Sequence, residues 1–135
     1  MEIYPAGSRP SKLARKEWFT GRVWQDPVIE APEPARIRAL RVHFEPGART
    51  AWHTHPLGQT LHVLDGIGLV GLRDAPPRRI RPGDTVWIPP GLEHWHGAAP
   101  DCAMTHLAMQ EALKGAVAVW LEQVSDDDYL TPPGA

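Results

Sequence analysis

The segment from Gly47 to Gly66, GARTAWHTHPLGQTLHVLDG, constrains this chain more than any other stretch. It sets His53 and His55 one residue apart. Side chains two residues apart leave a strand on the same face, so both imidazoles can converge on one point. Gln59 continues the odd-numbered register beyond a bend implied by Pro56 and Gly58. A later segment, GDTVWIPPGLEHWH, supplies His94 and His96. Imidazoles brought together from two such segments suggest a metal ion held inside a small β-barrel.

The rest of the chain agrees with an all-β architecture. Fifteen prolines in 135 residues oppose long helices and favour many turns. Residues 1–16 read as an N-terminal arm, 17–130 as one barrel domain and 131–135 as a flexible C-terminal tail. Strands are predicted around 19–24, 37–44, 51–55, 60–64, 67–72, 78–81, 85–88, 94–97, 103–111 and 117–124. Leu40, Val42 and Phe44 share one face of their strand; Met104, His106, Ala108 and Gln110 share one face of theirs. Turns are predicted at Gln25-Asp26-Pro27 and, as a hairpin, at Asp65-Gly66. Ser125 is placed as the N-cap of a short helical turn, with Asp128 at N3. Many short strands joined by Gly/Pro turns point to a sandwich or barrel.

Composition excludes several classes. With 14 basic and 16 acidic residues the formal charge is −2, which gives no reason to expect nucleic acid or an anionic membrane as a partner. The single cysteine, Cys102, allows no internal disulfide and suits a reducing compartment. With no apolar leader and no stretch long enough to span a membrane, the expected location is the cytoplasm.

His53, His55, Gln59 and His94 are the candidate metal ligands. Neutral imidazole binds divalent transition metals well, and a Gln carbonyl oxygen can replace a carboxylate oxygen. Such a ligand set leaves the ion's charge unneutralised, so the centre favours incoming anions and acts as an electrophile. It suits manganese, iron, cobalt, nickel or zinc. His62 and His43 fall on the opposite strand parity and are set aside as ligands. Trp52, Trp87 and Trp95 read as core or subunit-interface residues, and Arg49 and Arg73 as surface salt-bridge partners.

Gly47, His53, His55 and Gly66 stand as in the first cupin motif, with Gln59 in the glutamate place. Gly83, Pro89, Gly91 and His94 match the second motif, with Ala98 where an asparagine is expected. WFTG at Trp18–Gly21, the segments Phe44–Leu61, His94–Pro100 and Met104–Glu111, and the final WLEQVSDDDY resemble the small bacterial manganese-dependent cupin hydroxynitrile lyases. The resemblance implies a jelly-roll cupin barrel and Mn2+ on three histidines and a glutamine, which fall on His53, His55, His94 and Gln59. It also implies a homodimer or homotetramer acting on a small-molecule substrate.

Cyanohydrin cleavage requires a base for the hydroxyl proton. His106 is the preferred candidate, with His96 close behind, and Gln110 is placed to orient the substrate or hold the nitrile nitrogen. Leu40, Val42, Phe44, Met104 and Ala108 are expected to line an apolar pocket for an aromatic or aliphatic aldehyde. The leading expectation is a metal-dependent lyase that cleaves or forms cyanohydrins, with nitroaldol competence. The alternatives are a metal-dependent dioxygenase or isomerase and a non-catalytic cupin that binds a small polar ligand.

Overall fold

A computed structural model describes residues 1–134. In chain order the strands are β1 (Lys12–Leu13), β2 (Phe19–Thr20), β3 (Val23–Glu30), β4 (Ile37–Phe44), β5 (Arg49–Thr50), β6 (His53–Thr54) and β7 (Gln59–Gly66). They continue with β8 (Gly68–Leu72), β9 (Arg78–Ile80), β10 (Thr85–Ile88), β11 (His94–Ala98), β12 (Met104–Glu111) and β13 (Val119–Trp120). One short helix, α1 (Asp126–Leu130), follows. One sheet has the order β1-β3-β4-β12-β7-β10. The other follows β13-β6-β11-β5-β2, with β8 also pairing β11 and β9. This is a cupin jelly roll closed by a helical turn. No helix among the described residues is long and apolar enough to cross a membrane.

The two sheets bury a shared core. Val42, Phe44, Leu61, Val63 and Met104 come from the first sheet, and Phe19, Ile80 and Ala98 from the second. Alternation of buried with more open positions is what a one-sided strand requires, and it is clearest on β7, where Gln59, Leu61 and Val63 are buried between Thr60, His62 and Leu64. β4 and β12 pair along their full lengths from Met104–Phe44 to Glu111–Ile37. A second cluster of Trp52, Leu69, Trp95, Val124 and Tyr129 closes the barrel beneath the C-terminal helix.

Several local expectations fail for physical reasons. Gln25-Asp26-Pro27 is not a turn, because β3 runs straight through it. Its outer neighbour β1 pairs only with Trp24 and Gln25, so Pro27 lies where β3 is itself the sheet edge, and the register slips between Pro27 and Ile29. A missing N–H is tolerated at such an edge bulge. The strand expected over 19–24 is broken at Gly21, whose φ of +78° lets the chain pass from one sheet to the other. Asp65-Gly66 is not a hairpin. β7 pairs β10 and β12 while β8 pairs β9 and β11, so this dipeptide is a crossing between sheets. Within 117–124, only Val119–Trp120 forms a strand.

One further correction concerns a side chain packed against the C-terminal helix. Arg49 is only 5% exposed, not a surface residue. Its Nη2 donates to the Val124 carbonyl and to Asp126 Oδ1, each at 2.8 Å, and its guanidinium lies 4.3 Å over the Tyr129 ring. The Tyr129 hydroxyl in turn donates to the Ala98 carbonyl at 2.6 Å. Arg49 therefore fastens α1 to the barrel. Beyond α1 the tail stays attached, since the Gly134 N–H donates to the Pro77 carbonyl at 2.9 Å; Ala135 lies outside the described residues. Ser125 is the N-cap, accepting from the Asp128 N–H at 3.1 Å. Arg73 forms ion pairs with Glu93 and Glu122 and lies over Trp52. Trp52 and Trp95 are core residues, while Trp87 is 58% exposed.

Candidate metal centre

Strand pairing assembles the histidines from distant parts of the chain. His53 on β6 lies directly across from His94 on β11, and Trp120 on β13 lies across His53 on its other side. His55 follows β6, and its carbonyl accepts the Gly58 and Gly91 N–H groups, which ties the loop before His94 to the loop before Gln59. Gln59 opens β7 and pairs with Gln110 on β12. His96 is two residues beyond His94 on β11. One ring nitrogen from each of His53, His94 and His96 lies within 4.8 Å of the others, a cluster able to hold a divalent metal ion. The His55 ring adjoins it, with centroids 4.9 Å from His53 and 5.4 Å from His94.

Hydrogen bonding divides these rings into two kinds. His53 Nδ1 meets the Ala51 carbonyl at 2.9 Å, His55 Nδ1 the Val117 carbonyl at 2.6 Å, and His94 Nδ1 the Leu92 carbonyl at 2.9 Å. A backbone carbonyl only accepts, so each Nδ1 carries the hydrogen and each neutral ring presents a lone pair at Nε2. His55 Nε2 is buried with no partner among the described residues. Gln59 Oε1 lies 3.4 Å from His94 Nε2, so two acceptors face one another. Burial is the main reason that all three rings resist protonation. It places His53 well below the ordinary histidine value, lowers His55, and brings His94 down to about 4. Buried lone pairs that converge without a donor are complementary to a cation, and the backbone bonds behind them are the support that metal-binding histidines need.

His96 and His106 are held differently. His106 Nε2 and His96 Nδ1 are 3.0 Å apart, and neither ring is bound to a backbone carbonyl. Between two imidazoles the shared hydrogen can sit on either ring, so neither tautomer is fixed. His96 Nε2 and His106 Nδ1 are both buried without a partner among the described residues. Burial again dominates, lowering His96 well below its usual value and His106 to about 4. Phe44 presses edge-on against both rings.

A cavity of about 260 Å³ opens onto this cluster. His53, His55, Gln59, His96 and Gln110 reach it, and Leu40, Val42 and Ala108 form an apolar side. His106 is fully buried behind His96 and does not line it, and Phe44 and Met104 lie in the core rather than on its wall. The facing wall is aromatic. Trp18 stacks on Trp120 at 5.1 Å with planes 6° apart, and Trp120 stacks on His53 at 4.6 Å. Nothing in strand parity marks Trp18 and Trp120 as cavity residues, because they meet only through pairing across more than half the chain. Gln110 does not offer its amide freely to the cavity: its Nε2 donates to the Arg38 carbonyl at 3.1 Å, and its Oε1 accepts from Gln59 Nε2 at 3.0 Å. His62 and His43 bond Thr85 and Thr105 instead, outside the cluster.

Comparison with known proteins agrees with this construction. Residues 40–108 match the cupin domain family. Over 129 residues the chain is 54% identical to an (R)-mandelonitrile lyase of Granulicella tundricola, covering 96% of this chain and 98% of that protein. Over 73 residues it is 33% identical to an acireductone dioxygenase of Rhodopseudomonas palustris, covering 52% of this chain and 41% of that protein. Among solved structures, a cupin-like protein from Thermotoga maritima superposes with a TM-score of 0.82 at 38% identity, covering 96% of this chain and 95% of its own. The chain belongs to the cupin superfamily, in close relation to the mandelonitrile lyase of Granulicella tundricola.

Proposed function

We propose that this protein is a metal-dependent carbon–carbon lyase that cleaves and forms cyanohydrins, with His53, His55, Gln59 and His94 as ligands of a divalent ion, manganese by preference. The observation that carries the metal assignment is the set of three histidines whose Nδ1 atoms are committed to backbone carbonyls, leaving Nε2 lone pairs beside the Gln59 oxygen. The 54% identity to a mandelonitrile lyase over nearly the whole chain supports the reaction class. A divalent ion held there supplies Lewis acidity, which lowers the pKa of a bound hydroxyl and favours developing negative charge.

The protein's own groups do the rest. His96 Nε2 faces the cavity and, kept neutral by burial, takes the hydroxyl proton of the cyanohydrin. The resulting imidazolium donates from Nδ1 to His106 Nε2, which steadies the charge in a water-poor setting. As the carbon–carbon bond breaks, the aldehyde is released and His96 returns the proton to cyanide as HCN. His106 thus serves from behind His96. Trp18 and Trp120 on one side and Leu40, Val42 and Ala108 on the other enclose the aldehyde portion. A volume just under the roughly 300–1,000 Å³ usual for ligand sites restricts the substrate to a small one.

Cyanide release from mandelonitrile by manganese-loaded protein is the expected result, and its absence sinks the lyase reading. The local similarity to acireductone dioxygenases favours one competing reading, an oxygen-consuming cupin. Oxygen uptake by iron-loaded protein without cyanide release by the manganese form decides for that alternative.

A further inference from the structure

We infer that Gln110 is a positioning residue that keeps the amide nitrogen of Gln59 out of the metal centre. The inference rests on the reading of Gln59 as a ligand. A neutral amide can turn either its oxygen or its NH2 toward a site, and here the wrong choice is chemically attractive. The neighbouring Nε2 lone pairs of His55 and His94 are acceptors, and an inward-facing NH2 would donate to them and cap the site without any ion. Something must hold the oxygen inward.

The holding device is a three-strand relay. Arg38, Gln110 and Gln59 stand directly across from one another on β4, β12 and β7. The Arg38 carbonyl can only accept, so the Gln110 group facing it at 3.1 Å is the NH2. That turns Gln110 Oε1 toward Gln59, where it accepts from Nε2 at 3.0 Å. With its NH2 so engaged, Gln59 points Oε1 at His94, 3.4 Å from Nε2. The orientation of a metal-facing atom on β7 is thus dictated by a backbone carbonyl two strands away. A glutamate at position 59 needs no such control, because it has no NH2 with which to cap the histidines; a glutamine does.

The test is a double-substitution cycle read as manganese(II) affinity of metal-stripped protein, by chelator competition, with thermal melting to confirm folding. Gln110→Met removes the acceptor at nearly constant size. It is expected to weaken manganese binding roughly ten- to a hundredfold, the usual scale for losing a partner of a metal ligand, because the released Gln59 NH2 then competes with the ion. In a Gln59→Glu background the same change should produce no loss. Equal loss in both backgrounds, or no loss in the natural one, overturns the inference. If Gln110→Met does not fold, Gln110→Leu replaces it in the cycle with the same expectations. Gln59→Met separates the two levels. If it weakens manganese binding while the Gln110 variants do not, only the positioning role falls. If it binds manganese as tightly as the natural protein, the assignment of Gln59 as a ligand falls and the inference falls with it.

Discussion

Two groups of histidines meet in one buried cluster and differ in what stands behind them. His53, His55 and His94 donate from Nδ1 to fixed backbone carbonyls, whereas His96 and His106 have only each other. Distance does not separate the groups, since His96 lies as near His53 and His94 as a ligand would. Burial does not separate them either, since it depresses the pKa of all five rings. Tautomer control does. A ring locked in one tautomer offers a permanent lone pair and suits a cation; a ring whose hydrogen can move to a neighbour suits proton transfer. The lesson is that the role of a buried histidine is read from its far nitrogen.

The sharpest way to break this comparison is to remove one member of each group. His53→Ala should abolish stoichiometric metal binding and lower cyanide release by at least about a thousandfold, since the electrophile goes with the ligand. Metal analysis and turnover on the same sample check it. His96→Ala should retain the metal yet lose roughly a hundred- to ten-thousandfold in kcat, the range for a general base. If its metal content falls to that of His53→Ala, His96 is a ligand and the division is wrong. His106→Gln keeps a polar group near the His96 ring and should cost less, about tenfold in kcat with metal content unchanged.

Acid titration distinguishes the groups more gently. A buried histidine that stays neutral binds fewer protons than its unfolded counterpart between about pH 6.5 and its own lowered value. Its contribution to stability is therefore intact above pH 6.5 and is lost as pH falls toward about 4 for His94 and His106. That gap corresponds to roughly 3 kcal/mol per group at about 1.4 kcal/mol per pH unit. Thermal melting of metal-free protein should show stability falling through this window. Adding manganese should raise the melting temperature throughout the range above about pH 4 and lose that effect as pH falls to about 4, where protons begin to compete for the backbone-locked His94 ring. A manganese effect that fades already near pH 6.5, or that persists undiminished well below pH 4, contradicts that assignment.

Much of this arrangement is legible in the amino-acid sequence. The alternation in Ile37–Phe44 and Met104–Glu111 marks long strands because each buries one face, and the spacing of His53, His55, Gln59 and His94 groups them before any coordinates. Local signals misled where long-range pairing decides. Asp65-Gly66 has hairpin chemistry, but its two strands find partners in different sheets. Pro27 breaks most strands, but not one that is a sheet edge. The features that sort the site were out of reach. The carbonyl that locks His55 belongs to Val117, 62 residues away, and the carbonyl that orients Gln110 belongs to Arg38, 72 residues away. Strand parity favours His106 as the base because it points inward; only packing reveals that His96 stands between it and the cavity.

The central claim is that turnover depends on an ion held by the backbone-locked histidines. Metal content and mandelonitrile turnover measured together, on natural protein and on His53→Ala, test it most directly. The account predicts about one divalent ion per natural chain, none in the variant, and cyanide release that follows the ion. Undiminished cyanide release from metal-free His53→Ala would contradict it.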